Sequence, residues 1–311
     1  MYVKLFRFVC ILIVLLLVSC QGQMATPGVT PQPLATDRSA TLLAEDTATD
    51  TFTVEVPDEL TATPVDVPPV AEGLQGLDID AFFEASYTRL VLRCPQCVTA
   101  LGKSQALGMR DDQLNDMSDA FIRETQALEK AILALLKTYD RDALTPEQRL
   151  SYDVYAWYLE DQIRGHAFMY YDYLIRPGVI GYQDDLVQCF TDIHPVTNRQ
   201  NAEDYVTRLS LVEVQMKQVV DGLERREKEG VMLPRFVLQW MEYSIRSMAD
   251  SEADATPFYT EFEEKLEALD TIAEADKQDL LQAAEKAIKS SVLPGFDALT
   301  DLVEKLSLIH I

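Results

Sequence analysis

Apolar residues recur at steps of three and four along most of this chain, the spacing that gathers them on one face of an α-helix. Asp78 stands just ahead of Phe82, Phe83, Tyr87 and Leu90 and predicts a capped helix. Phe121, Leu128, Ile132, Leu135 and Tyr139 form a second stripe. Leu144-Thr145-Pro146-Glu147-Gln148 reads as a helix start, with Thr145 as N-cap, Pro146 in the first turn and Gln148 placed to complete a capping box. That helix is expected to run through Trp157 towards Tyr173 and to stop at Pro177-Gly178. Tyr205, Leu209, Val212, Met216, Val219 and Leu223 mark the predicted longest helix, closed by Gly230. Thr256-Pro257 repeats the cap-then-proline signature before Phe258 and Phe262, another helix surrounds Leu280 to Ile288, and Pro294 opens the last. No segment alternates apolar and polar residues for long enough to predict a strand. The expected fold class is all-α, with long antiparallel helices forming a bundle-like domain.

The N-terminal part departs from this pattern. Lys4 and Arg7 precede an unbroken apolar run from Phe8 to Val18. As a helix that run rises about 16 Å, roughly half a bilayer's hydrocarbon core, which suits the h-region of a signal peptide better than a membrane span. It ends in Leu17-Val18-Ser19-Cys20, which resembles the lipobox of bacterial lipoproteins. The resemblance implies that residues 1–20 are a lipoprotein signal cut before Cys20, and that Cys20 is lipidated. Several acyl chains would hold such a protein on the membrane. An ordinary secretory signal is the competing reading. Residues 21–73 carry ten Thr, seven Pro and a single aromatic, Phe52, so they are expected to form a disordered tether. The helical domain is expected over residues 74–305. Residues 306–311, Leu-Ser-Leu-Ile-His-Ile, read as a non-native tail on a truncated frame or as a frayed helix end, and His310 is set aside. These features place the protein in the cell envelope, outside the cytoplasm, with the membrane as its partner through the lipid anchor.

Charge and cysteine usage narrow the function. The formal net charge is −24, and beyond residue 73 there are 42 acidic against 24 basic residues. Such a surface disfavours nucleic acid and anionic headgroups. With Cys10 in the signal and Cys20 lipidated, Cys94, Cys97 and Cys189 remain. Cys94-Pro95-Gln96-Cys97 is open to three readings: a structural disulfide or plain thiols, a redox-labile pair, or half of a zinc site completed by Cys189 and His194. Trp157, Tyr170, Tyr171 and Tyr173 concentrate aromatic rings near a helix end, where they line a cleft or pack a junction. His166 and His194 stand alone, each a ligand or a satisfied polar residue. Asp111-Asp112 and Glu263-Glu264 are adjacent carboxylates that point apart, so solvated faces are expected.

The order of several short motifs carries a family resemblance. Leu101-Gly102 is followed by Leu144-Thr145-Pro146-Glu147 with Tyr152-Asp153, then Tyr205-Val206-Thr207-Arg208-Leu209, then Gly230 and Pro234, and last Leu293-Pro294. Over about residues 76 to 305 this resembles the N-terminal half of the bacterial family named domain of unknown function 885. The resemblance implies an exported lipoprotein related to zinc-dependent carboxypeptidases of the gluzincin type, with a His-Glu-x-x-His-like motif in the C-terminal half. That motif sets two imidazoles one helical turn apart beside a glutamate base. His166, His194 and His310 do not form it, so no catalytic residue and no metal ligand is assigned, and no cofactor is expected in this chain. Zinc and a peptide substrate are implied only for a longer parent. The competing reading is a non-enzymatic surface lipoprotein acting as a helical binding or scaffold module. If the chain is a fragment, its last two or three helices are expected to leave an apolar stripe uncovered.

Overall fold

Asp78 accepts a hydrogen bond from the Ala81 backbone N–H at 3.0 Å and starts α1 (Ile79–Val91). The computed structural model describes residues 68–177 and 181–309; the signal, Cys20, His310 and the tether up to residue 67 lie outside the described residues. Every regular element among the described residues is helical, so the fold is all-α. After α1 come α2 (Pro95–Ala100), α3 (Asp119–Leu136) and α4 (Pro146–Gly165). Then follow α5 (Tyr182–Gln188), α6 (Arg199–Leu209), α7 (Val212–Lys228) and α8 (Arg235–Ala249). The chain closes with α9 (Pro257–Glu267), α10 (Glu274–Ala287) and α11 (Leu293–Ile309). No described helix is long and apolar enough to cross a membrane.

The local signals act as their chemistry requires. Ser118 caps α3, and Thr145 and Gln148 exchange the reciprocal bonds of a capping box at α4. Gly230 follows α7 at φ +74°, a backbone conformation that a Cβ would strain. Thr256 holds the N-cap position of α9, but its hydroxyl turns back to the Ala253 carbonyl at 2.8 Å instead of capping.

Two apolar clusters hold the helices. The smaller joins Phe82 of α1, Leu128, Ile132 and Leu136 of α3, and Leu159 of α4. Ala71 and Leu74 are buried in it, so the packed chain begins ahead of residue 74. The larger cluster spans α5 to α11 and centres on aromatic rings. Tyr205 and Phe262 stack with ring centroids 4.4 Å apart, and the Tyr205 hydroxyl donates to the Phe258 carbonyl at 2.8 Å. α11 packs along both α8 and α7. Gly295 permits the approach to α7, since a Cβ there would sit 3.1 Å from the Met216 Cβ.

Three boundaries differ from the sequence expectation. α4 stops at Gly165 and passes into a 3₁₀ turn, His166–Phe168, short of Tyr173. Glycine is a weak helix former, and His166 turns to meet Glu129 of α3 at 2.5 Å. The predicted longest helix is two helices, α6 and α7, broken at Ser210-Leu211. The Ser210 hydroxyl donates to the Thr207 carbonyl at 2.6 Å and competes with the regular ladder. The stripe looks continuous in sequence because both helices face the same core; α4, with 20 residues, is longer than either. Finally, α11 continues through Ile309, and Leu306 is wholly buried as the next step after Phe296, Leu299 and Val303. Residues 306–309 therefore continue the helix.

Candidate functional site

The Cys-x-x-Cys segment forms the start of α2, and Cys94 and Cys97 are paired there as a disulfide with their Cα atoms 5.1 Å apart. The proline between them is at the first turn, where a missing N–H costs nothing. Gln96, held inside this staple, exchanges backbone-to-side-chain bonds with Asn115 at 3.0 and 3.1 Å. Gln215 of α7 donates to the side-chain oxygen of Gln96 at 3.0 Å and accepts from the Tyr182 hydroxyl at 2.8 Å. α2 is thus fastened to α7 through amides.

Behind α2 lies a buried polar junction centred on Arg208 of α6, which is 0% exposed. Its guanidinium donates to His194 Nδ1 at 3.0 Å and to the Thr99 hydroxyl at 2.8 Å, with the Cys189 sulfur at 3.9 Å. His194 Nε2 faces the Asn201 carbonyl at 3.0 Å. Because Nδ1 accepts and Nε2 donates, the imidazole is neutral. Burial first, and then the Arg208 charge, lower its pKa to about 4. Burial also pushes the Arg208 guanidinium down and the Cys189 thiol up. The negative counterpart sits one bond away: the hydroxyls of Thr99 and Ser104 donate to Asp111 Oδ1 at 2.7 and 2.5 Å. The Asp111 amide donates to Asp204 at 3.3 Å, and Asp204 pairs with Arg110. Lys265 of α9 donates to the carbonyls of Phe190, Thr191 and His194, closing the π-turn Cys189–Ile193.

The structure therefore brings Cys189 and His194 up to α2, as the zinc reading requires, but a guanidinium stands between the donors. A cation already occupies the centre, the Cys94 and Cys97 sulfurs are bonded to each other, and the Cys189 thiol is held protonated. These four residues do not fit a zinc cage, which needs thiolates and free imidazole lone pairs. Among the described residues no group of three or more His, Cys, Asp or Glu is arranged to hold a metal. The disulfide closes a loop of few residues, so replacing both partners, Cys94→Ser with Cys97→Ser, is expected to lower stability by about 2 kcal/mol. Urea unfolding measures this. Stoichiometric zinc in the native protein, lost in the variant, would overturn the pairing.

The four aromatic candidates separate. Trp157 on α4, Tyr171 and Tyr173 are exposed, at 59, 69 and 40%. Tyr170 is pinned: Arg123 and Arg225 donate to its hydroxyl at 2.9 and 3.2 Å, and the hydroxyl donates to Asp119. Partial burial raises the Asp119 carboxyl, but the Tyr170 hydrogen bond and the cations of Arg123 and Arg225 outweigh it and hold the pKa below the usual value. Arg226 of α7 clamps the same segment, donating to the Met169 and Asp172 carbonyls and to the Asp172 carboxylate at 2.6 Å. Tyr173 borders a crevice of about 10 Å³ with Arg226, Leu238 and Leu306, room for one water.

His166 pairs with the buried Glu129, whose carboxyl burial raises and His166 lowers, for a net rise. Asp111, expected on a solvated face, is buried because Thr99 and Ser104 supply it with donors. Sequence reading missed Arg208 as a junction residue, though an arginine three residues after Tyr205 on an apolar helix face was the available signal.

The model of the family described as "Bacterial protein of unknown function (DUF885)" matches residues 95–308, and the chain belongs to that family. Among solved structures, "the putative lipoprotein from Colwellia psychrerythraea" is similar in fold, with a TM-score of 0.62 and 16% identity over 75% of this chain and 42% of that one. The chain thus spans less than half the length of that neighbour. No curated protein matches it.

Proposed function

We propose that this chain is the helical N-terminal part of a lipid-anchored, extracytoplasmic enzyme resembling a zinc-dependent peptidase. In this reading Cys20 carries the anchor and residues 21–73 the tether. The helices form one wall of a substrate cleft, and the metal and the reacting groups belong to polypeptide beyond residue 311. The observation that carries the reading is membership of the family over residues 95–308 together with a shared fold that fills 42% of a longer neighbour. The Arg208 junction, the α2 staple and the Arg226 clamp suit the part: they hold loops rigidly without offering a nucleophile or base to solvent.

Two measurements test this. Genomic DNA read past the codon for Ile311 is expected to encode a His-Glu-x-x-His-like motif, and an authentic stop codon there would overturn the reading. Purified as it stands, the chain is expected to show no peptidase turnover with added zinc. Robust turnover would show that the reacting groups lie within these residues.

A further inference from the structure

α8 is apolar on two opposite sides. Leu238, Met241 and Ile245 face the core and are 1, 3 and 2% exposed, while Phe236, Trp240 and Tyr243 face outward at 73, 66 and 80%. The outward three follow steps of four and three, one stripe along the helix. A helix apolar all round is ordinarily buried all round. Within α8 the exposed residues beside the stripe are Arg235, Gln239, Ser244 and Ser247, and the first exposed carboxylate, Asp250, comes only at the C-cap, on a protein with 51 acidic residues. The lateral charges of α8 are engaged within the fold, Arg246 meeting Glu242 and Glu304 of α11.

We infer that this aromatic face of α8 is the docking surface for the polypeptide that follows this domain in a longer family chain. The inference rests on the proposed function and adds the place of contact. The expected stripe on the last two or three helices is thereby reassigned to an earlier one, because α11 lies along α8 and buries Phe296, Leu299, Val303 and Leu306, leaving Leu308 alone exposed among its described large apolar residues. The fold neighbour supplies the reason for choosing this occupant: the shared fold covers 42% of its chain, so more than half of a longer relative's polypeptide lies outside the match. The chemistry selects an uncharged, apolar partner surface with a carboxylate near Arg235.

The test uses Trp240, one of only two tryptophans, in a Trp157→Phe background. The 311-residue chain and the chain extended through its genomic reading frame are both purified in detergent. The extended chain is expected to show blue-shifted Trp240 emission and several-fold weaker acrylamide quenching. Phe236→Ser with Tyr243→Ser should restore quenching in the extended chain and leave the thermal midpoint of the shorter one unchanged. If the frame encodes the metal motif but Trp240 stays as quenchable as before, docking on α8 is wrong and the enzyme reading survives. If the frame stops at once, both fall. Concentration-dependent protection in the shorter chain would assign the face to a second copy. Protection by phosphatidylethanolamine–phosphatidylglycerol vesicles would assign it to lipid. Either result overturns the inference.

Discussion

Arg208→Ala is expected to destabilise the protein by about 3–5 kcal/mol, the range for breaking a buried charged network. The side chain is fully buried and is the shared donor for His194 and Thr99, so truncation leaves an imidazole nitrogen without its donor and opens a cavity. Thr99 in turn donates to Asp111, so the loss extends to a buried carboxylate that interacts electrostatically with the Arg208 charge. Arg208→Lys is expected to recover little, since one ammonium cannot reproduce a planar fork reaching two acceptors. Urea unfolding of the single variants and of Arg208→Ala with Thr99→Val gives the coupling directly. Strictly additive losses, or a cost below about 1 kcal/mol for Arg208→Ala, would mean that the junction is slack.

Much of the fold was legible in the sequence because its signals are local. Thr145-Pro146 with Gln148 sets a helix start within four residues, and Asp78 and Gly230 mark their ends in the same way. The break at Ser210 was hidden because a serine inside an apolar period reads as an exposed position, and its bond to the Thr207 carbonyl is a matter of rotamer. The end of α4 depended on His166 finding Glu129, 37 residues away, and no period records such a pair. The junction was legible only in fragments. Cys189 and His194 were noticed as possible ligands, and Arg208 was noticed inside a family motif. That the arginine lies between them follows from the packing of α6 against α2 across a separation of 109 residues. Asp111 beside Asp112 suggested a solvated pair, whereas the donors that bury it come from Thr99 and Ser104.

The same junction sets an expected pH dependence. His194, at about pH 4 in the folded protein against an ordinary 6.5, refuses a proton that the unfolded chain accepts. Between those two values the unfolded state binds more protons, so the contribution of His194 is complete above about pH 6.5 and declines as pH falls towards 4. A difference of that size corresponds to about 3 kcal/mol by the bottom of the window. Glu129 acts in the opposite sense: burial raises its carboxyl, so the stability it adds as a neutral group is lost as pH rises. The Asp119 and Asp172 carboxyls are held below their ordinary value, so their contributions fade only under stronger acid. Stability measured from pH 7 to pH 4 in Glu129→Gln removes the opposing carboxyl, and adding His194→Gln is expected to make the curve shallower. An unchanged slope after that substitution would show that the imidazole is not the group refusing the proton. In Arg208→Lys the slope should persist, because a neighbouring cation still opposes the imidazolium, while in Arg208→Ala it should weaken as the His194 pKa climbs back. The contrast separates the charge of residue 208 from its hydrogen bonds, the two roles that the buried guanidinium combines.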